Sequence, residues 1–153
     1  MYFLNKIKDL TKKEELIIFV DMDGVIADYD FGNKLDFKNK RPITTNINTL
    51  RQVSNLPNVT LCILSICKKE CEIKEKNSWL DKNASFFSKQ NRYIISKEKN
   101  LNSDSKTIKV NFIKNYDNKG KKVVVIEDDN SILKLMRKEL NDVILFQDSS
   151  LLD

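Results

Sequence analysis

The chain has 153 residues, of which 41% are hydrophobic and 32% are charged, and its formal net charge is +5. This length suits one domain, residues 1–153, and the composition supports a packed core and excludes global disorder. The longest apolar runs, Leu16–Val20 and Val123–Ile126, are far shorter than the ~20 residues of a membrane-spanning helix, and the N-terminal stretch lacks an apolar signal-peptide centre. We therefore expect a cytoplasmic protein without a membrane partner.

The sequence contains no histidine. This excludes Ser-His-Asp triads, Cys-His proteases and histidine-ligated zinc sites. Acid–base chemistry must use carboxylates, Lys, Tyr or Cys, and a metal with oxygen ligands is expected, which favours Mg²⁺ or Ca²⁺. We expect Cys62, Cys67 and Cys71 to be reduced thiols that serve packing, although Cys67 and Cys71 have the spacing of one helical face.

Short apolar runs alternate with helical patterns along the chain. The runs predict four buried strands and a weaker one at 92–95: Leu16–Val20, Val59–Leu64, Arg92–Ile95, Val123–Ile126 and Val143–Phe146. Apolar residues at helical spacing predict the helices Ile47–Leu56, Glu70–Asn83, Ser105–Tyr116 and Asn130–Leu140. Strands that alternate with helices predict an α/β fold with a mostly parallel sheet and right-handed crossovers.

Two segments fit neither pattern. Residues 28–41 are polar with scattered aromatic residues, which predicts a projecting hairpin or loop after the first strand. Lys97–Asp104 is predicted to be a second polar loop.

Two carboxylates, Asp21 and Asp23, directly follow the first strand, and Gly24 comes next. Binding and catalytic sites gather at the carboxyl ends of strands in open α/β sheets, and glycine lets the backbone turn sharply. Acidic residues and glycine are also common in ordinary strand-to-loop turns. The interpretation as a site therefore depends on matching signals elsewhere.

Polar residues follow two other predicted strands. Ser65 comes directly after the second strand, where its hydroxyl can bind an anion or cap a helix. Glu127, Asp128 and Asp129 follow the strand at 123–126. Adjacent carboxylates repel one another, and a divalent cation is a natural compensation, although Asp129 also suits the cap of the next helix.

A lysine lies near the start of the helix predicted at 105–116: Lys106 or, one turn later, Lys109. A cation at a helix N-terminus opposes the helix dipole unless an anion lies between them. The alternative is a solvated surface lysine.

In chain order, these signals resemble the haloacid dehalogenase (HAD) superfamily of phosphatases over about Leu16–Phe146. The stretches ILS (63–65), Trp79-Leu80 and VVVIEDDN are also similar to its 5′(3′)-deoxyribonucleotidase and polynucleotide 3′-phosphatase branches. The resemblance implies a three-layer, Rossmann-like HAD fold and a single hydrolase domain.

The resemblance also implies a two-step phosphoryl transfer. Asp21 would be the nucleophile and would form an aspartyl-phosphate, and Asp23 would be the general acid and base. Ser65 and a lysine would bind the phosphoryl oxygens. Lys106 has the usual family interval to the acidic motif and is preferred, whereas Lys109 has the more familiar spacing to the following Phe-Ile pair.

Magnesium is the cofactor that the resemblance implies. It would bind Asp21, the backbone carbonyl of Asp23 and Asp128, with Asp129 as a supporting ligand. Glu127 departs from the family, which often has Gly or Asp at that position. The longer side chain of Glu127 can shift the metal or contact the residues that bind it.

The short interval between Asp23 and the second strand leaves room for a flap, about residues 28–41, instead of a full cap domain. In the family, a minimal cap goes with macromolecular substrates or with oligomers that cover each other's sites. The flap's basic residues can contact a substrate or form a solvated loop; they are Lys34, Lys38, Lys40 and Arg41. A nucleotide or a nucleic-acid phosphate end is the favoured substrate, and a phosphosugar or a phosphoprotein is the alternative.

Two other classes of protein remain. A non-catalytic phosphate-binding protein would not need both Asp21 and Asp23. A receiver-like protein uses similar residues but places its acidic pair after the first strand and its phosphorylated aspartate after a later one, so we rank it third.

Overall fold

A computed structural model describes residues 1–29 and 36–152 of the chain. The strands are β1 (Leu16–Val20), β2 (Val59–Cys67), β3 (Arg92–Ser96), β4 (Lys122–Glu127) and β5 (Val143–Gln147). The α-helices in this part of the chain are α1 (Tyr2–Thr11), α2 (Thr44–Ser54), α3 (Cys71–Asn83), α4 (Ser105–Asn115) and α5 (Asn130–Glu139). The strands form one parallel sheet in the order β3-β2-β1-β4-β5. The predicted three-layer, Rossmann-like α/β fold is confirmed.

Strand β1 is buried over its whole length and separates two hydrophobic layers. The side chains of Leu16, Ile18 and Val20 pack with α1, α2 and α3, whereas Ile17 and Phe19 pack with α4 and α5. Because successive side chains of a strand point to opposite faces, a strand covered on both faces needs apolar residues at every position. This explains the continuous apolar run.

The predicted helices and strands are all present, with shifted ends. Helix α2 begins at Thr44 rather than at Ile47, and β2 continues through Ser65 to Cys67 rather than ending at Leu64. The sheet is wholly parallel where a mostly parallel one was predicted.

Helix α1 was not predicted. Its residues Phe3, Leu4 and Ile7 are buried and share one helical face. The ring of Phe3 packs edge-on against Phe146 in β5, with the centroids 4.9 Å apart. The helical spacing of these apolar residues is the signal that identifies α1.

The flap is described only at its two ends, since Phe31 and Lys34 lie outside the described residues. Ala27 forms an antiparallel bridge with Pro42, and the amide of Asp28 donates to the carbonyl of Arg41 at 2.9 Å. Residues 36–41, which we call the flap root, include a short 3₁₀ helix at Phe37–Asn39. The flap root is therefore held next to the loop that follows β1.

The cysteines are free thiols, as the sequence predicts. Cys62 is buried, and burial raises its pKa to about 12, which suits a packing role. Cys67 ends β2 and Cys71 begins α3, so the two do not share a helical face. No helix in the described part of the chain has the length and apolar character needed to cross a membrane.

The connectivity places the reversal of strand order beside β1. From β1 the chain runs outward to β2 and β3, and it then crosses to β4 and β5 on the other side. Where the strand order reverses, the loops at the carboxyl ends diverge and leave room for a ligand. Asp21 follows β1 and Glu127 ends β4, so both lie at this point.

Candidate active site

The loop after β1 is fixed by backbone hydrogen bonds. The amide of Asp21 donates to the carbonyl of Ile126 in β4 at 3.1 Å, and the amide of Gly24 donates to the carbonyl of Ala27 at 2.8 Å. Gly24 has a φ of +79°, and a Cβ at this position would lie 2.7 Å from the Cγ of Asp128. Glycine is therefore required both by the backbone conformation and by the close approach of Asp128.

The acidic half of the site consists of Asp21, Glu127 and Asp128 with Lys109. One oxygen from each carboxylate lies within 4.8 Å of the others. The Nζ of Lys109 donates to Asp21 Oδ1 at 2.9 Å and to Glu127 Oε2 at 2.6 Å. When all three carboxylates are ionised, one ammonium leaves two negative charges uncompensated. A divalent cation would supply that compensation.

Burial and the neighbouring charges shift the pKa values of the ionisable groups in the acidic half. Burial raises the pKa of Asp21, although Lys109 acts in the opposite direction. Burial and the neighbouring charge of Asp21 raise the pKa of Glu127 to about 9. Burial alone would lower the pKa of Lys109, but Asp21 and Glu127 raise it. Without a cation, the acidic half therefore binds a proton more tightly than isolated carboxylates do, while Lys109 stays charged.

Glu127 also organises the loop after β4. Its Oε1 accepts hydrogen bonds from the amides of Asp128 at 3.1 Å and Asp129 at 3.3 Å. The Asp128 carboxylate in turn accepts from the hydroxyl of Tyr29 at 2.5 Å. Burial and Asp128 raise the pKa of Tyr29, so the phenol remains a donor. Glu127 thus links Lys109 to the loop that presents Asp128.

The basic half of the site consists of Asp23 and Ser65 with Lys40 and Lys76. The Nζ of Lys76 donates to Asp23 Oδ2 at 3.0 Å, to Ser65 Oγ at 2.7 Å and to the carbonyl of Ile66 at 3.0 Å. Lys40 donates to the other Asp23 oxygen at 2.5 Å. Two ammonium groups on one carboxylate leave one positive charge uncompensated. This half therefore favours an anion.

The protonation of Asp23 follows from these two ion pairs. Burial alone would raise the pKa of Asp23, but Lys76 and Lys40 lower it below the ordinary value of 3.8. Asp23 is therefore ionised near neutral pH in the absence of a ligand.

The flap root is docked on α3 by aromatic and polar contacts. Trp79 Nε1 donates to the backbone carbonyl of Lys40 at 2.9 Å, and the rings of Phe37 and Trp79 meet edge-on at 5.9 Å. The Nζ atoms of Lys40 and Lys76 lie over the Phe37 ring, 4.8 and 4.9 Å from its centroid. These contacts fix the backbone from which Lys40 reaches Asp23.

The structure brings together the predicted site residues Asp21, Asp23, Ser65, Lys109 and Asp128. The lysine on Asp21 is Lys109, not the preferred Lys106. Lys109 precedes Ile113 by one helical turn and shares its buried face, whereas Lys106 is in the first turn of α4. The contacts therefore favour Lys109 over the preferred Lys106.

Asp129 has a different role from the supporting metal ligand that the resemblance implies. It is exposed, and its Oδ1 accepts from the amide of Ser131 at 2.8 Å and from its hydroxyl at 2.6 Å. Hydrogen bonds from Ser131, together with the nearby Lys106, lower the pKa of Asp129. It caps α5, which is the alternative given above. The acidic cluster contains Glu127 in its place.

Lys76 is the site residue that sequence reasoning missed. It lies in the apolar stripe of α3 formed by Ile73, Trp79 and Leu80, and it is only 3% exposed. A lysine is rarely buried unless its charge is paired. Its position in an otherwise apolar stripe is therefore the signal that marks it as a partner of a buried carboxylate.

The arrangement can hold a cation and an anion side by side. The acidic half offers carboxylate oxygens, which are the ligands that Mg²⁺ prefers. Ser65 is buried and accepts from Lys76, so that contact does not use its hydroxyl hydrogen, which can donate to an anion, and Lys109 adds a positive charge. Asp21 accepts from Lys109 and also belongs to the carboxylate cluster, so its side chain adjoins both charges.

The comparisons with known proteins show the fold. The chain is similar to one in the solved structure of the Pnkp1/Rnl/Hen1 complex, with a TM-score of 0.69 and 16% sequence identity. The alignment covers 88% of this chain and 46% of that one, so this chain spans less than half of its length. No family model and no curated protein matches the sequence.

Proposed function

We propose that the protein is a Mg²⁺-dependent phosphomonoester hydrolase of the HAD type that acts through an aspartyl-phosphate on Asp21. The observation that carries the proposal is the convergence of Asp21, Glu127 and Asp128 from two strand ends, with oxygens within 4.8 Å of one another. The fold and the order of the motifs along the chain agree with this function.

Asp21, Glu127 and Asp128 are the residues that would hold the cation. Their donor set consists of hard oxygen atoms, and their charge is incompletely balanced by Lys109. When bound, Mg²⁺ supplies charge neutralisation for the phosphoryl oxygens.

The first step uses residues from both halves. An oxygen of Asp21 attacks phosphorus, the bond between phosphorus and the leaving oxygen breaks, and Asp23 gives its proton to that oxygen. Ser65 and Lys109 bind the phosphoryl oxygens and hold the group in line. A phosphoryl dianion placed next to Asp23 opposes the two lysines and raises its pKa, which allows it to carry the proton.

The second step restores the enzyme. Asp23 takes a proton from a water molecule as that water attacks phosphorus, and the bond between phosphorus and the Asp21 oxygen breaks. Inorganic phosphate leaves, and Asp21 is again a carboxylate.

The substrate that we favour is a nucleotide or the phosphate end of a nucleic acid. The surplus positive charge of the basic half and the flap in place of a cap domain support this choice. A phosphosugar or a phosphoprotein is the alternative, and a panel of phosphate esters separates them. A strong preference for a sugar phosphate would overturn the choice.

Turnover of p-nitrophenyl phosphate tests the proposed function. We expect hydrolysis with Mg²⁺, loss of hydrolysis on chelation and recovery when Mg²⁺ is returned. Binding of inorganic phosphate without turnover of any ester in a broad panel would instead indicate a non-catalytic phosphate-binding protein.

A further inference from the structure

Lys40 and Lys76 share Asp23 but differ in their remaining capacity to bind. Lys76 uses its three ammonium hydrogens on Asp23, Ser65 and the carbonyl of Ile66, and its side chain is 4% exposed. Lys40 donates to one acceptor among the described residues, Asp23 Oδ1, and its side chain is 16% exposed. Lys40 therefore has donors left for a ligand, whereas Lys76 does not.

The position of Lys40 beside Asp23 indicates that it would contact the leaving group of the substrate. Asp23 acts on the leaving oxygen in the proposed reaction, so a cation on the accessible side of Asp23 lies next to the leaving group. In the same reaction the phosphoryl group would face Lys109, which is bonded to Asp21. Because Trp79 holds the backbone of Lys40, the ammonium is presented there before a substrate arrives.

The charge on this side favours an anion. One positive charge remains when Lys40 and Lys76 share the Asp23 carboxylate. Lys38 and Arg41, in the same flap root, are exposed and extend the positive surface outward. An uncharged leaving group would displace water from the Lys40 ammonium without offering a strong hydrogen-bond acceptor in its place. Its binding would therefore gain no stabilisation from Lys40.

We propose that Lys40 binds a phosphate carried by the leaving alcohol. The substrate would then be the phosphate end of a nucleic-acid strand or a nucleoside bisphosphate rather than a nucleoside monophosphate. This inference rests on the proposed phosphatase function and narrows its substrate class.

The test compares esters that differ in the charge of the leaving group. Initial rates are measured for thymidine 3′-monophosphate, thymidine 5′-monophosphate, thymidine 3′,5′-bisphosphate and an oligothymidylate with a 3′-phosphate. We expect kcat/KM for the last two to exceed that of the matching monophosphate by roughly tenfold or more, as for one charge-assisted hydrogen bond. The ratio should fall as salt is added, because Lys40 is partly exposed.

Lys40→Met should bring this ratio close to one, and Lys40→Arg should retain most of it. Lys74→Met, which removes an exposed charge from α3, is the control and should keep the ratio. Thermal melting of each variant separates a change in specificity from a loss of folding.

The outcomes distinguish this inference from the function on which it rests. Equal kcat/KM values for mono- and bisphosphates, or an unchanged ratio in Lys40→Met, would overturn the inference and leave the phosphatase intact. Failure to hydrolyse any ester would overturn both. A rate for an acidic phosphopeptide above that for the bisphosphate would replace the nucleic-acid assignment. A bisphosphate rate above that of the oligonucleotide would assign the small molecule.

Discussion

The two halves of the site have opposite charge balance, although only one residue separates their central carboxylates, Asp21 and Asp23, in the chain. Asp21 lies with two other carboxylates and one lysine, and Asp23 lies with two lysines. The lysines come from opposite faces of the sheet, Lys109 from α4 and Lys76 from α3. One loop can thus place a carboxylate with surplus negative charge around it beside one with surplus positive charge, because each layer of helices supplies a different neighbour.

The largest expected effect concerns Asp21. Asp21→Asn should reduce phosphatase activity at least about a thousandfold, since the amide cannot act as the nucleophile or carry the charge of a ligand carboxylate. Steady-state kinetics with p-nitrophenyl phosphate measures the effect. Asp9→Asn, at an exposed position of α1, is the control and should leave activity unchanged. Undiminished activity of Asp21→Asn would refute the nucleophile assignment.

Loss of Lys76 should disrupt the basic half. Lys76→Met leaves Ser65 and the Ile66 carbonyl without their donor, so we expect a loss of unfolding free energy of about 1–3 kcal/mol. Activity should fall about a hundredfold, because Asp23 and Ser65 lose their common support.

Urea denaturation and steady-state kinetics measure the two effects of Lys76→Met. The control is Lys74→Met, an exposed lysine of the same helix, which should change neither quantity. Wild-type stability and kinetics in Lys76→Met would show that Lys76 has no positioning role.

Cation binding should depend on the acidic half. Mg²⁺ should raise the thermal midpoint of the wild type, by an amount that corresponds to about 2.7 kcal/mol at one hundred times its Kd. Asp128→Asn should weaken Mg²⁺ binding about tenfold or more. Asp129→Asn should have a small effect, because Asp129 caps α5 and lies outside the cluster. Equal losses in both variants would restore Asp129 as a ligand.

The last expected effect is a pH dependence of stability in the cation-free chain. The pKa of Glu127 is about 9 when folded and near the ordinary 4.5 when unfolded. Between these values the folded chain binds more protons than the unfolded chain, so its stability falls as pH rises. Denaturation from pH 5 to 9 should show this slope, and Glu127→Gln or saturating Mg²⁺ should flatten it. A stability that rises with pH over this range would contradict the assignment.

The sequence predicts the strands well because strands covered on both faces need continuous apolar runs. It also predicts the acidic residues, since Asp21 and Asp128 directly follow β1 and β4 and the end of a strand is a local feature. The contact between Lys76 and Asp23 joins α3 to the loop after β1. Such a pairing depends on how the layers pack, which spacing along one segment does not encode.

The choice between Lys106 and Lys109 shows the same limit on a smaller scale. The two residues are about one helical turn apart, and both lie in the N-terminal half of α4. The decision rests on which face of the helix meets the sheet. The buried residues Val110 and Ile113 settle it in favour of Lys109, which is buried with them.

The central claim is that carboxylates from two strand ends share one cation while Asp21 faces phosphorus. A crystal structure with Mg²⁺ and beryllium trifluoride, an analogue of a bound phosphoryl group, tests it directly. We expect one Mg²⁺ ligated by Asp21 and Asp128, with beryllium bonded to the other oxygen of Asp21. A structure with Mg²⁺ bound elsewhere and Asp21 paired only with Lys109 would contradict the claim.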